Sequence, residues 1–185
     1  MESERKYLTE EELARFLRGI DSVRDKAIFT VCYWRGLRAS EIGQLRLSDW
    51  DRTEDRLFVH RGKGSNSGSF PLSPAERRAL KAWFRIRGAT AGPLFPSRQG
   101  RGVSRERVYQ LYQAYAEQAK LPPALHHPHC LKHSIGTHLV GKIDIMALKD
   151  WLGHRDIRSS LVYANFRSRE RDKAAQAIYA EAETL

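Results

Sequence analysis

Leu152-Gly153-His154-Arg155-Asp156-Ile157-Arg158-Ser159-Ser160-Leu161-Val162-Tyr163 is the stretch from which the rest of the chain is read. Asp144 caps a short helix over Ile145 to Leu152, and Gly153 stops it, because glycine enters the left-handed conformation without a side-chain penalty. That stop fixes His154 at a helix end. Tyr163 follows nine residues later, in a short turn around Leu161 to Phe166. Tyr163 is one of seven tyrosines, and taken alone it reads as an aromatic that fills the core with its hydroxyl wet. Its weight comes from the segments upstream.

In His129-Cys130-Leu131-Lys132-His133-Ser134-Ile135-Gly136-Thr137-His138, the residues Leu131 and Ile135, continued by Leu139, make one apolar helix stripe. His129 and Lys132 form an i,i+3 pair off that stripe and are expected to point out of the core, toward a site. Gly136 has no side chain, so another backbone is expected to pass close. In Gly36-Leu37-Arg38-Ala39-Ser40-Glu41, Arg38 opens a helix and Glu41 is spaced to orient its guanidinium. Arg38 shares a face with Leu45, which predicts a half-buried side chain in need of an anion. An internal Arg38–Glu41 pair meets that need without a ligand, so this segment alone decides nothing. Lys63, between Gly62 and Gly64, can swing into a bound ligand as a point charge. A solvated Lys-Gly turn has the same sequence.

The surrounding pattern is mainly α with a small antiparallel β-hairpin, read as one domain over residues 1–185. Thr9 and Glu12 make a capping box ahead of Leu13, Phe16 and Leu17. Helices are expected at Arg24 to Trp34, Ala39 to Leu47, from Ser73-Pro74 to Gly88, from Ser104 to Lys120, and from Pro128 to Val140. Asp55 to His60 and Ser69 to Leu72 have strand composition around a Gly-Ser-rich turn. An Ala-rich helix over Ser168 to Glu183 closes the chain, with Ala174, Ile178, Ala182 and Leu185 along one side.

The chain carries 32 Lys and Arg against 22 Asp and Glu, a net charge of +10. A surface this basic suits a polyanion, because neutralised phosphates release their counterions. Two cysteines form no disulfide framework, and neither a signal peptide nor an apolar run of membrane-spanning length is seen, so cytoplasm or nucleoid is expected. His126, His127 and His129 invite a zinc reading. Pro128 interrupts them and no cysteine pair or carboxylate stands at ligand spacing, so no metal is expected. A Gly-Lys-Ser/Thr phosphate loop and clustered carboxylates for two-metal chemistry are also absent from the sequence.

Taken in order, these segments resemble the tyrosine recombinases, also called the phage integrase family, from about Leu8 to Tyr179. The family pattern is an Arg in Gly-Leu-Arg-x-Ser-Glu, a hairpin Lys, His-x-x-Arg, Leu-Gly-His and a nucleophilic Tyr. The resemblance places Arg38, Lys63, His129, Lys132, His154 and Tyr163 on it as catalytic residues. It implies a cofactor-free reaction on double-stranded DNA through a 3′-phosphotyrosyl intermediate and a free 5′-hydroxyl. Arg38, Lys132 and His154 would hold the phosphate, His129 would take the tyrosine proton, and Lys63 would protonate the leaving oxygen. Glu41 and His133 are expected to orient these groups, and Arg35, Arg61 and Arg155 to contact DNA. The resemblance further implies a homo-oligomer on DNA, a dimer or tetramer, with the C-terminal helix exchanged between protomers.

Lys132 departs from the pattern, standing where the family has its second arginine. An ammonium cannot make the two parallel hydrogen bonds of a guanidinium, and the loss is expected to be on the order of 10²–10³ in rate. Arg155 is a basic neighbour able to compensate. The second departure is the missing N-terminal helical clamp, expected of a minimal member or of a piece of a longer protein. Two other readings compete: a weakened or inactive DNA-binding accessory protein of the same fold, motivated by Lys132, and a type IB topoisomerase. The spacing from Leu-Gly-His to Tyr163 argues against the latter.

Overall fold

The computed structural model describes residues 5–62 and 65–163. The elements are α1 (Glu10–Arg18), α2 (Val23–Arg35), α3 (Ala39–Ile42), β1 (Trp50–Asp51), β2 (Arg56–Val59), β3 (Gly68–Pro71), α4 (Pro74–Arg87), α5 (Arg105–Gln118), α6 (His129–Leu139) and α7 (Ile145–Leu152), followed by a helical stretch over 158–163. The mainly helical architecture with a small antiparallel sheet agrees with the sequence. The expected helix over Ser168 to Glu183, and Lys63 and Gly64 in the hairpin, lie outside the described residues.

Helix α2 is the centre of the molecule. Ala27, Ile28, Phe29, Val31 and Cys32 are fully buried, and a helix apolar around its circumference belongs in the interior. Ser22 caps it, accepting from Asp25 N–H, and Gly36 ends it in the left-handed conformation at φ 56°. Phe16 and Phe29 meet edge to face at 5.5 Å between ring centroids, and both contact Tyr112 from α5. Leu8 N–H donates to Ser134 Oγ at 2.8 Å, fastening the segment before α1 to α6.

Three local expectations change. The helix foreseen over Ala39 to Leu47 ends at Ile42, because the chain turns at Gly43 against the Gly102-Val103 backbone. A Cβ on either Gly43 or Gly102 would collide with the opposing carbonyl. Residues Leu47–Asp49 then form a 3-10 turn. Strand β1, unforeseen, pairs Trp50 with Leu57 and Asp51 with Arg56; two residues are too short to show alternation. The return strand begins at Gly68 rather than Ser69, with Val59 opposite Gly68.

Arg35 is a correction of a different kind. Expected on the DNA surface, its side chain is 1% exposed and paired with Glu76, which is 0% exposed, at 2.8 Å. Its guanidinium lies 4.6 Å from the centre of the Trp151 ring. It is the last residue of α2, on the helix side that faces α4 and α7, so it cannot reach a phosphate. Burial pushes the Glu76 carboxyl up and the Arg35 guanidinium down, each against their mutual attraction. Glu76→Gln keeps the shape and removes one charge. It is expected to destabilise the protein by about 3–5 kcal/mol, since breaking a buried pair strands the other ion; urea unfolding measures this.

Candidate active site

The descent from α2 to α3 sets the first cation. Arg38 stands at the N-cap of α3, and the Glu41 carboxylate accepts from both Arg38 N–H at 2.8 Å and Arg38 Nη1 at 2.9 Å. Nη1 also donates to Ser65 Oγ at 3.1 Å. The side chain is 40% exposed. Nε and Nη2 carry no protein hydrogen bond among the described residues, which leaves two donors of the fork for an anion. Ser65 was not singled out from the sequence; nothing in a Gly-Ser-rich turn marks one serine over another.

The hairpin reaches the same place from the other side. Asn66 N–H donates to the Gly153 carbonyl at 2.9 Å, and Ser65 bridges to His154. Gly62 N–H donates to Glu41 at 3.3 Å. The residues on either side of Lys63 and Gly64 are therefore tied to the Arg38 and His154 segments.

Arg61, expected on DNA, is also corrected. Its side chain is 0% exposed. It donates to the carbonyls of Gly36, Arg35 and Trp151 and to Glu41. Arg155, the third arginine given to DNA, is exposed.

Helix α6 presents His129 at the surface. Its ring lies at right angles to His133, centroids 4.6 Å apart. Lys132, expected to point outward, is 3% exposed, and its Nζ donates to the Leu152 carbonyl at 3.0 Å. The end of α7 covers it, and Gly36 leaves room for Leu152 there: a Cβ would lie 2.7 Å from Leu152 Cδ2. Burial, with the charges of Arg61 and Arg38 behind it and Glu41 opposing, brings its ammonium down to about 7.

Residues 158–163 are helical, and Tyr163, the last of the described residues, is 3% exposed. Its ring stacks parallel to His154, centroids 6.3 Å apart and 7° between planes, and lies 5.9 Å from the His133 ring. The close approach expected at Gly136 is by this ring rather than by a backbone: a Cβ there would lie 2.7 Å from Tyr163 Cε1 and Cζ. Gly136→Ala must therefore displace the ring. We expect it to slow any chemistry at the phenol by about 10²-fold, the scale of a 1 Å misplacement, while circular dichroism stays unchanged; single-turnover rates check this.

The protonation states follow from burial. The Tyr163 phenol is pushed up to about 12 by burial, with Arg38 pulling the other way, so it needs a base to act near neutrality. Desolvation above all holds His154 and His133 down to about 4 and lowers His129, with the charges of Lys132 and Arg38 adding to it at His154 and His129. All three are neutral at pH 7, fit to accept a proton or to donate a ring N–H. His154 Nδ1 meets Ser160 Oγ at 2.9 Å, a partner the sequence did not flag. With Ser160 as donor, His154 Nε2 carries the hydrogen.

A cleft of about 230 Å³ opens between Arg38, Ala39 and Ser40, His129, and Arg105 and Tyr109 of α5. Arg105 lies over the Tyr109 ring. The sequence reading treated α5 as a core helix through Val108, Leu111, Tyr112 and Tyr115; Arg105 and Tyr109 repeat at i,i+4 on the other face. Among the described residues no three His, Cys, Asp or Glu side chains gather as a metal site, and His126 is bonded to the Leu121 carbonyl. No described helix is long and apolar enough to cross a membrane.

The sequence profile of the phage integrase family matches residues 6–170. Type 1 fimbriae regulatory protein FimB of Escherichia coli K12 is 36% identical over 168 residues, covering 86% of this chain and 84% of FimB. Tyrosine recombinase XerC of Erythrobacter litoralis is 36% identical over 144 residues; that match covers 77% of this chain and 46% of XerC. Among solved structures, XerA recombinase superposes with a TM-score of 0.80 at 24% identity, over 92% of this chain and 64% of XerA. XerH bound to its difH substrate before cleavage superposes with a TM-score of 0.74 at 23% identity, over 86% of this chain and 50% of XerH.

Proposed function

Because the chain belongs to the phage integrase family of tyrosine recombinases, we propose that it cuts and rejoins double-stranded DNA with Tyr163 as nucleophile. One observation carries the reading. The Tyr163 ring is held by Gly136, His133 and His154, its phenol makes no protein hydrogen bond among the described residues, and Arg38 acts on it electrostatically.

The phenolic oxygen attacks the scissile phosphorus, its proton passing to the neutral histidines on α6, His129 through His133. Negative charge grows on the nonbridging oxygens, where the free Arg38 donors and His154 Nε2 stabilise it. The bond to the 5′-oxygen breaks, and that oxygen takes a proton from Lys63 by the family pattern. The products are a 3′-phosphotyrosyl bond and a 5′-hydroxyl; a 5′-hydroxyl from another strand reverses the step. The phosphodiester energy is conserved in the tyrosyl ester, so no nucleotide cofactor enters. Lys132 adds positive charge beside Arg38, and Arg155 contacts the backbone. The protein works in the nucleoid as a homo-oligomer on DNA, its C-terminal segment exchanged between protomers, and residues 1–185 act as one catalytic domain.

Nicked duplexes drawn from the DNA flanking the gene test this. Loss of the short cleaved fragment traps the intermediate as an adduct that survives denaturation, and peptide mapping is expected to place the nucleotide on Tyr163. A nucleotide on any other residue overturns the assignment. So does the absence of adduct from every fragment with both the natural protein and Lys132→Arg, which would favour an accessory DNA-binding protein.

A further inference from the structure

Two helix ends and one guanidinium meet behind the proposed site. Arg35 and Gly36 carry the last carbonyls of α2, and Trp151 one of the last carbonyls of α7; such groups have no partner within their own helix. Arg61 donates to all three, at 2.5, 3.0 and 3.2 Å, and its Nη1 also reaches Glu41 at 3.2 Å. A cation at a helix C-terminus is favoured by the helix dipole, and here one cation serves two. Arg61 Nε and Cγ pass so close to Gly153 that a Cβ there would lie 2.9 and 3.2 Å from them. Nε has no hydrogen-bond partner among the described residues. The Leu-Gly-His glycine therefore does two jobs: it ends α7 at φ 68° and it lets Arg61 through.

The two segments that Arg61 joins are the two halves of the site. The end of α2 leads in two residues to Arg38, whose guanidinium is aimed by the same Glu41 that Arg61 holds. The end of α7 leads within three residues to His154, which stacks on Tyr163. With no side-chain surface exposed, the Arg61 guanidinium cannot touch a phosphate. We propose that Arg61 is a positioning residue that sets the separation of Arg38 from His154, and so the geometry in which a phosphate meets Tyr163. This deepens the proposed function and rests on it. A fork with donors at fixed angles is needed for the task; an ammonium on a flexible stem reaches one acceptor and fixes no orientation.

The test uses the nicked duplex on which the natural protein forms its Tyr163 adduct, so failure of that adduct counts against the functional reading and not against this one. Arg61→Lys keeps the charge beside Glu41. It is expected to fold, by circular dichroism and thermal melting, and to bind the duplex within about twofold, yet to cleave about 10²-fold more slowly at saturating DNA. In a His154→Ala background the same change is expected to cost only a few-fold, because the distance it sets no longer matters. Arg61→Met provides a second variant with the same expected split between rate and affinity. Cleavage by Arg61→Lys within threefold of the natural protein overturns the proposal. So does a loss confined to affinity, or an equal loss in both backgrounds.

Discussion

Tyr163→Phe is expected to abolish the covalent protein–DNA adduct, a loss on the order of 10⁵ or more, while DNA affinity stays within about twofold. The substitution removes one oxygen. The ring keeps its slot over Gly136 and its stack on His154, so packing is preserved. The hydroxyl has no protein partner among the described residues, so none is left unsatisfied by its removal. The contrast with Gly136→Ala is instructive. That variant keeps the oxygen and moves the ring, so it should slow adduct formation without ending it. Denaturing electrophoresis after incubation with the nicked duplex reads both. Persistence of the adduct in Tyr163→Phe would remove the nucleophile from the mechanism.

Lys132→Arg is expected to accelerate cleavage by about 10²–10³. In the DNA-free protein the Lys132 ammonium is spent on the Leu152 carbonyl, and it has one point of charge to offer. A guanidinium in its place has donors for both the carbonyl and a phosphate. The pH dependence has a definite sign. With its ordinary value brought down to about 7 by burial and by Arg61 and Arg38, Lys132 is charged below pH 7 and loses that charge as pH rises through it. Arginine stays charged throughout. Because kcat/KM reports the free enzyme, the arginine variant's advantage should widen by up to about tenfold per pH unit above 7. Common trends from the histidines cancel in the ratio. A ratio independent of pH would show that the Lys132 charge is not used.

The helices were legible where caps and stops are local. Thr9 with Glu12 starts α1, and Ser73-Pro74 with Gly88 and Asp144 with Gly153 bracket α4 and α7 much as their spacing implies. What escaped depends on contacts distant in sequence. Gly43 ends α3 because residues 102–103 pass over it. Arg35 and Arg61 were read as surface bases in a basic protein, and only Glu76, Glu41 and the Trp151 carbonyl, far away along the chain, turn them inward. Lys132, expected to point out of the core, is buried instead, because the end of α7, distant in sequence, covers that face. The ordered motif carried Arg38, His129, His154 and Tyr163, whereas Ser65, Ser160, Arg105 and Tyr109 sit in sequence contexts that any solvent-facing turn or helix could share.

Cys32 and Cys130 are both free and fully buried, one on α2 and one on α6. Cys130 Sγ shares a hydrogen bond with the Tyr112 hydroxyl at 2.7 Å, and burial raises both thiols, Cys130 to about 12. Alkylating reagents attack thiolates, so neither sulfur reacts until the helix that bears it lifts from the interior. The native chain is thus already suited to single-site fluorophore attachment at an introduced surface cysteine. Its own two sulfurs serve as an internal clock, their slow modification timing how often the helix that bears His129 and His133 lifts from the interior.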